Sequence, residues 1–241
     1  MQNEMAPFLL PLDSQPHFPP SYLAMDDPNG LLAVSFELSP DWLIEAYRHG
    51  VFPWSSEDEP VLWWSPAPRT VLFPSQIRIR RSLKKVIRNK GFTVTFDRAF
   101  SDVLNLCATI NRPGQDGTWL RNDLKAALIE LHQQGVAHSV ETWLNGELVG
   151  GLYGLAIGRV FFGESMFAKT SDASKVALVA LAKQLEAWGF RMIDCQMETE
   201  HLMNMGAQNL SREAFEHILE EDRDKAPIQA WCFDPNLLKA I

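Results

Sequence analysis

An aspartate and a glutamine stand two residues apart, Asp194 and Gln196, in the largely apolar run from Phe190 to Gln196. A strand there puts both side chains on one face and turns Cys195 the other way, into packing. A buried strand has no structural need for a carboxylate and an amide together, because each is costly unless hydrogen-bonded. The pair therefore points to a site, with a mutually satisfied core network as the plainer alternative. Glu164 follows Phe161-Phe162-Gly163 and reads as the end of a neighbouring strand, where Gly163 lets a ligand approach the backbone. Near Asp194 it forms a small negative cluster suited to a cationic group; otherwise it caps the turn that follows.

Other chemistries lack the spacing they need. No H-x-x-x-H or C-x-x-C pattern occurs, so no metal site is expected. Ser139 and Ser165 lack a G-x-S-x-G elbow, which leaves a Ser-His hydrolase little support. His138, beside Ala137, and His201, beside Leu202, each have an apolar neighbour and read as packing residues. The 3 cysteines are too few and scattered for a disulfide framework and suit a reducing compartment. Pro7 and Pro11 interrupt the first apolar stretch, which has no basic region before it, so no secretory signal is expected. Without a long uninterrupted apolar run no membrane span is expected, and the cytoplasm is the expected location.

The net charge of −8 argues against a protein that coats nucleic acid, but not against a local contact. Arg78, Arg80, Arg81, Lys84, Lys85, Arg88 and Lys90 place 7 basic residues in 13 positions with no acid among them. That strip is either a solvated face or a phosphate-backbone contact.

These residues need elements to hold them. A chain of 241 residues fits one large domain or two smaller ones sharing a core. Residues 1–70 are rich in Pro and Trp and read as an N-terminal domain, with 71–241 as the catalytic domain. Ser39 as N-cap, Pro40 at the first helical position and Gly50 past the end mark a helix. Trp54, Trp63 and Trp64 within 11 residues form either core or an aromatic wall for a ligand. Val71 to Phe73, Ile77 to Ile79 and Phe92 to Phe96 read as strands, and Ser82 as the cap of the basic helix. Helices are expected over Phe100 to Ile110 and Leu120 to Gln134. Ser139 to Leu144 and Glu147 to Leu155 flank Asn145-Gly146, a strong hairpin signal. Val160 to Glu164, a helix from Ser174 to Trp188 and the strand Phe190 to Gln196 follow, with helices at His201 to Met205 and Ser211 to Leu219.

Hairpin, strand, helix, strand, helix is an order that resembles the acetyltransferase-like (GNAT) core, giving an α/β (α+β) fold with a mixed sheet behind a small N-terminal domain. That core holds coenzyme A pyrophosphate on a Gly-rich loop. Here the link from Ser165 to Ala173 contains no glycine, so an acyl donor other than coenzyme A is expected.

Taken in order, many segments resemble the leucyl/phenylalanyl-tRNA–protein transferases. They include Pro28-Asn29-Gly30-Leu31-Leu32-Ala33, Gly50-Val51-Phe52-Pro53-Trp54, Leu62-Trp63-Trp64-Ser65-Pro66 ending at Arg69, and Gly117-Thr118-Trp119. Further along come Phe162-Gly163-Glu164-Ser165-Met166-Phe167, Ala173-Ser174-Lys175 and Ile193-Asp194-Cys195-Gln196, so the match spans nearly the whole chain. The resemblance implies transfer of Leu or Phe from aminoacyl-tRNA to proteins beginning with Arg or Lys, marking them for the bacterial N-degron pathway. It implies no cofactor, because the donor is already an activated ester, and a monomer is the default. Under it, Gln196, oriented by Asp194, holds and helps deprotonate the incoming amine, and Glu164 fixes substrate groups nearby. Leu152, Phe161, Met166, Leu178 and Ile193 form the acyl side-chain pocket beside Gly163. Trp54 and Trp119 stack on the terminal adenosine. Arg78, Arg80, Arg81, Lys84, Lys85 and Arg88 contact the tRNA body. The chain departs from the family pattern at Ser35-Phe36-Glu37, at Leu128 and Leu181, where aromatic residues occur in relatives, and at Asn204 for a usual serine. Leu128 would remove a contact near the adenosine. Two other classes remain comparators: an N-acetyltransferase on the same core, and a tRNA-binding module without turnover.

Overall fold

The computed structural model of the chain describes residues 6–11, 15–109 and 120–241. A smaller sheet contains β1 (Phe8–Leu9), β2 (Leu31–Ser35), β3 (Phe52–Pro53) and β4 (Val61–Trp64) in the order β1-β2-β4-β3, with α1 (Pro40–Arg48) between β2 and β3 in the chain. α1 starts where its residue types place it. The Ser39 side chain accepts from the Trp42 N–H, Pro40 takes the first turn, and Gly50 follows the helix at φ +69°.

The tryptophan cluster divides by strand alternation. Trp63 is fully buried, Trp64 is half-buried, and Trp54 is 41% exposed. Trp63 also explains Ser35, whose buried hydroxyl accepts from its Nε1 at 2.8 Å and donates to the Glu37 carbonyl at 2.8 Å. The unusual residue at 35 thus closes a hydrogen-bond chain within the smaller sheet.

The larger sheet begins with β5 (Arg69–Leu72), and α2 (Arg81–Asn89), β6 (Thr93–Phe96), α3 (Phe100–Thr109) and α4 (Asn122–Gln133) follow. β7 (Ala137–Leu144) and β8 (Glu147–Ile157) make a hairpin. Its Asn145-Gly146 turn takes φ +52° and +83°, the two positive values that a tight primed turn needs. β9 (Val160–Ala168), α5 (Ala173–Ala187) and β10 (Met192–Gln196) come next, then α6 (Glu200–Asn204), β11 (Gln208–Leu210), α7 (Arg212–Asp222) and α8 (Asn236–Lys239). The strand order is β11-β5-β10-β9-β8-β7-β6. β9 and β10 are parallel, which requires a crossover connection, and α5 supplies it. The neighbouring pairs in this sheet are otherwise antiparallel. This is the mixed α/β architecture expected from the element order.

Strand alternation gives the large sheet two apolar faces. Phe162, Tyr153, Met192 and Val71 face a core shared with α1, α3, α4 and the smaller sheet. Phe161, Leu152, Ile193 and Leu72 face a second core built on α5. Leu128 is fully buried in the first core, so it contributes to packing and not to a nucleoside contact. His138 packs as expected, its ring stacked on Trp231 with centroids 3.7 Å apart and its Nδ1 2.7 Å from Asp97 Oδ2. Among the described residues no helix is long and apolar enough to cross a membrane.

Three expectations about elements need correction. Ile77 to Ile79 is not a strand. Both isoleucines are half-buried and Arg78 and Arg80 are exposed, so the chain is extended and alternating. Its backbone bonds among the described residues are isolated ones, from Ile77 N–H to the Pro74 carbonyl at 3.5 Å and from Arg78 N–H to the Met205 carbonyl at 2.8 Å. Alternation reports an extended chain and cannot by itself supply a partner strand. Ser82 does not cap the basic helix, because α2 starts at Arg81 with Arg80 as its flanking residue. β9 does not stop at Glu164 but continues to Ala168.

Candidate active site

The candidate site lies where the sheet has two irregularities. Between β8 and β9, Tyr153 pairs with Ser165 and Gly154 with Gly163, which leaves Glu164 as an extra residue. Between β10 and β5, Asp194 pairs with Val71 and Gln196 with Thr70, which leaves Cys195 as an extra residue. A bulge re-aims the side chains on either side of it, and here two bulges lie on adjacent strands. The expected common face for Asp194 and Gln196 is therefore overturned, while Cys195 packs against the α5 core as expected. Cys195 and Gln196 both line a cavity, while Asp194 lies fully buried beneath them.

Gln196 adopts φ +62°, a left-handed conformation that a non-glycine residue holds only when its surroundings enforce it. Two hydrogen bonds enforce it. The Gln196 N–H donates to Asp194 Oδ1 at 2.9 Å, and its side-chain Nε2 donates to Glu164 Oε1 at 2.8 Å. Asp194 is in turn gripped by Arg69, whose Nε donates to Oδ1 at 2.9 Å and whose Nη2 donates to Oδ2 at 2.7 Å. The two side chains are 1% and 0% exposed. The Arg69 guanidinium is held between the rings of Phe52 and Phe215, 4.9 and 4.8 Å from their centroids.

This pairing changes the electrostatics expected of the site. Asp194 is neutralised by Arg69, so the two acids do not form an open negative cluster for a cation. Glu164 is the acid that faces the cavity. Burial pushes its carboxyl up to about 7, against hydrogen bonding from Tyr47 and Gln196, with the Asp194 charge adding to the rise and Arg69 opposing it. The buried Tyr47 hydroxyl lies against Glu164, and burial first, then Glu164, hold it well above the usual phenol range. Burial and then Asp194 push the Cys195 thiol up, so it stays protonated and is no nucleophile.

The cavity has a volume of about 480 Å³. Leu152 of β8, Phe161 and Met166 of β9, Leu178 of α5 and Ile193 of β10 line it, together with Gly163 and, from the smaller sheet, Trp54. A side-chain carbon on Gly163 would make ordinary contacts at 3.5 Å or more, so packing does not demand glycine there and the space opens to the cavity. Leu181, Thr199, His201 and Leu202 complete part of the wall. Trp119 lies outside the described residues. Among those described, the expected pocket residues come together around Glu164 and Gln196.

The basic segment lies on the outside and touches this wall through α6. Arg78, Arg80, Arg81, Lys85 and Arg88 are exposed and Lys84 is half-buried. An Arg80 Nη2 donates to Asn204 Oδ1 on α6, the helix that brings His201 and Leu202 to the cavity. The unusual asparagine at 204 thereby gains a use.

A coenzyme A pyrophosphate finds a poor fit at the start of α5. The turn before it contains no glycine, and its flanking residue is Asp172, at φ +69°, paired with Lys175 Nζ at 2.6 Å. An acid at the positive end of a helix occupies the place that an anion would take.

Arg69 was the functional residue least visible in the sequence. It is 125 positions from its partner, and apart from closing the segment that begins at Leu62 its local signal is a charge two positions before the apolar run Val71-Leu72-Phe73.

Comparison with known proteins shows the family. A family model described as leucyl/phenylalanyl-tRNA protein transferase matches residues 71–220, and a second, for the N-terminal domain of the same proteins, matches residues 36–67. The chain is 58% identical over 226 residues to the leucyl/phenylalanyl-tRNA–protein transferase of Hydrogenovibrio crunogenus, covering 92% of this chain and 88% of that one. It is 55% identical over 204 residues to that of Aromatoleum aromaticum, covering 85% and 86%. It is 52% identical over 228 residues to that of Nitrosospira multiformis, covering 92% and 96%.

Proposed function

The chain belongs to the leucyl/phenylalanyl-tRNA–protein transferase family, and on that premise we propose how its site divides the reaction. Leu or Phe, esterified to the 3′ end of its tRNA, passes to the α-amine of an acceptor protein. The amine nitrogen bonds to the ester carbonyl carbon, the carbon–oxygen bond to the tRNA breaks, and the amine gives up a proton while the departing ribose oxygen gains one. No cofactor has to activate the acyl group.

The observation that carries this reading is one side chain, Gln196, held by two hydrogen bonds at the polar end of an otherwise apolar cavity. Its amide N–H side is committed to Glu164, which leaves the amide oxygen to accept from the incoming amine. A carboxamide is too weak a base to take the proton away. Glu164, with its carboxyl near 7, is matched to that task at neutral pH. Asp194 is not, because Arg69 and the Gln196 N–H occupy its oxygens and no surface of it is exposed. Asp194 is read as the residue that orients Gln196.

Leu152, Phe161, Met166, Leu178 and Ile193 take the donor side chain, and Trp54 at the mouth stacks on the terminal adenosine. A cavity of this lining favours unbranched-at-Cβ Leu and Phe over Val and Ile, by about 1–3 kcal/mol per methylene-sized difference. Proteins beginning with Arg or Lys are the acceptors, and their new N-terminus marks them for the bacterial N-degron pathway in the cytoplasm. The working unit is a monomer.

The purified protein should place label from Leu-tRNA or Phe-tRNA on peptides beginning with Arg or Lys. Folded protein that labels none of the four donor–acceptor pairs overturns the reading. The basic segment makes a separate prediction. Arg80→Ala and Lys84→Ala should each weaken tRNA binding and each reduce the slope of log affinity against log salt by about 1. Unchanged slopes in a filter-binding titration would remove the segment from the tRNA interface.

A further inference from the structure

One polar group on the cavity wall has no part in the scheme above. His201 is the second residue of α6 and lines the same cavity as Gln196. Its Nε2 is buried and has no hydrogen-bond partner among the described residues. Leu202 and the N-cap Thr199 of its own helix, and Leu178 and Leu181 on α5, line the same cavity. The charged groups acting on it are Lys175 and Asp172 at the start of α5, which pair with each other at 2.6 Å. Burial, then Lys175, hold its imidazole below the usual histidine range, so the ring is neutral at pH 7.

A buried nitrogen without a partner is unfavourable in the empty cavity and is relieved when a ligand supplies one. The direction of that ligand follows from where α6 is anchored. Asn204, one turn along from His201, accepts from Arg80 of the basic segment, so this wall is on the tRNA side of the cavity. The acceptor amine has Glu164 and Gln196, and the donor side chain has the apolar residues. Two hydrogen-bonding groups stand next to the donor's ester, its own α-ammonium and the free hydroxyl of the terminal ribose. The hydroxyl belongs to the tRNA and lies on its side of the ester, and a neutral imidazole can meet it as donor or acceptor.

We propose that His201 is a donor-binding residue whose Nε2 hydrogen-bonds the free ribose hydroxyl beside the aminoacyl ester. The inference rests on the transferase reading. It makes His201 a determinant of affinity for the aminoacyl-tRNA and not for the acceptor.

The test compares wild type, His201→Phe and His201→Gln on leucyl-tRNA chemically acylated at the 3′ position, ending in adenosine or in 2′-deoxyadenosine. His201→Phe should raise the KM for the adenosine donor about tenfold, with a smaller change in kcat and the acceptor-peptide KM unmoved. Glutamine places a hydrogen-bonding atom near the position of Nε2, and His201→Gln should recover part of the loss. The deoxy donor should lose about the same factor on wild type and nothing further on His201→Phe. An unchanged donor KM in His201→Phe overturns the proposal, as does a loss that multiplies with that of the deoxy donor or falls on the acceptor KM. Wild type that transfers nothing would defeat the transferase reading itself, which keeps the two failures apart.

Discussion

Arg69→Met should destabilise the fold by about 3–5 kcal/mol, and should cost less when Asp194→Leu accompanies it. Both charges lie out of water, at 1% and 0% side-chain exposure, with two direct hydrogen bonds between them. Removing the guanidinium leaves a carboxylate in a low-dielectric site with only the Gln196 N–H to serve it. Removing both leaves apolar groups where the rings of Phe52 and Phe215 already provide an apolar surface. Urea unfolding of the two single variants and the double variant reads this directly as a coupling term. Activity should not follow stability. The double variant keeps the Gln196 side-chain bond to Glu164 but loses the bond that fixes its backbone at the left-handed φ, so transfer should remain at least about a hundredfold down after stability returns. Single-variant costs that simply add would show that the pair is not a unit. A stable double variant with ordinary activity would show that Arg69 and Asp194 do not position Gln196.

Much of this could be read from residue types, and what could not has a common cause. The helix from Pro40, the hairpin at Asn145-Gly146 and the apolar run on α5 each rest on local preferences, which survive in the fold. Asp194 and Gln196 stood out because a polar pair is out of place on a buried strand. Their geometry was hidden, because a bulged strand has the same residue types as a regular one. Strict alternation puts Gln196 on the face of Asp194, whereas the extra residue on β10 turns it toward the cavity and away from the buried carboxylate. The charge balance was hidden for another reason. Two acids near each other imply a cation, but the cation here is Arg69, from a strand 125 residues away in sequence. His201 shows the converse: an apolar neighbour in sequence, Leu202, suggested packing, yet that neighbour is part of the wall of the cavity that it faces.

The pH dependence of transfer should identify the base. Glu164 ionises at about 7, well above the ordinary value of 4.5. Below about 7 its carboxyl holds a proton and cannot take one from the amine, so its ionisation should give kcat/KM one rising limb that ends near 7. The acceptor's own α-amine titrates near about 8 in solution and contributes a second limb. Glu164→Gln keeps an oxygen for the Gln196 Nε2 but cannot accept a proton. Transfer should fall by about 10²–10⁴, and only the limb near 8 should remain. Stability should move the other way. A carboxyl raised by folding favours the native state while it is protonated in both states. That advantage is lost as pH rises from the unfolded value of 4.5 toward the folded value of about 7. At pH 8 the ionised group therefore penalises the fold by up to about 3 kcal/mol, from the size of the shift. Glu164→Gln should unfold at a higher urea midpoint than wild type at pH 8, and with little difference at pH 4. Coincident pH–rate profiles for the two proteins would take the proton from some other group. A Glu164→Gln variant no more stable at pH 8 would show that the carboxyl is solvated well enough to ionise at its ordinary value, and that it is not poised for the amine.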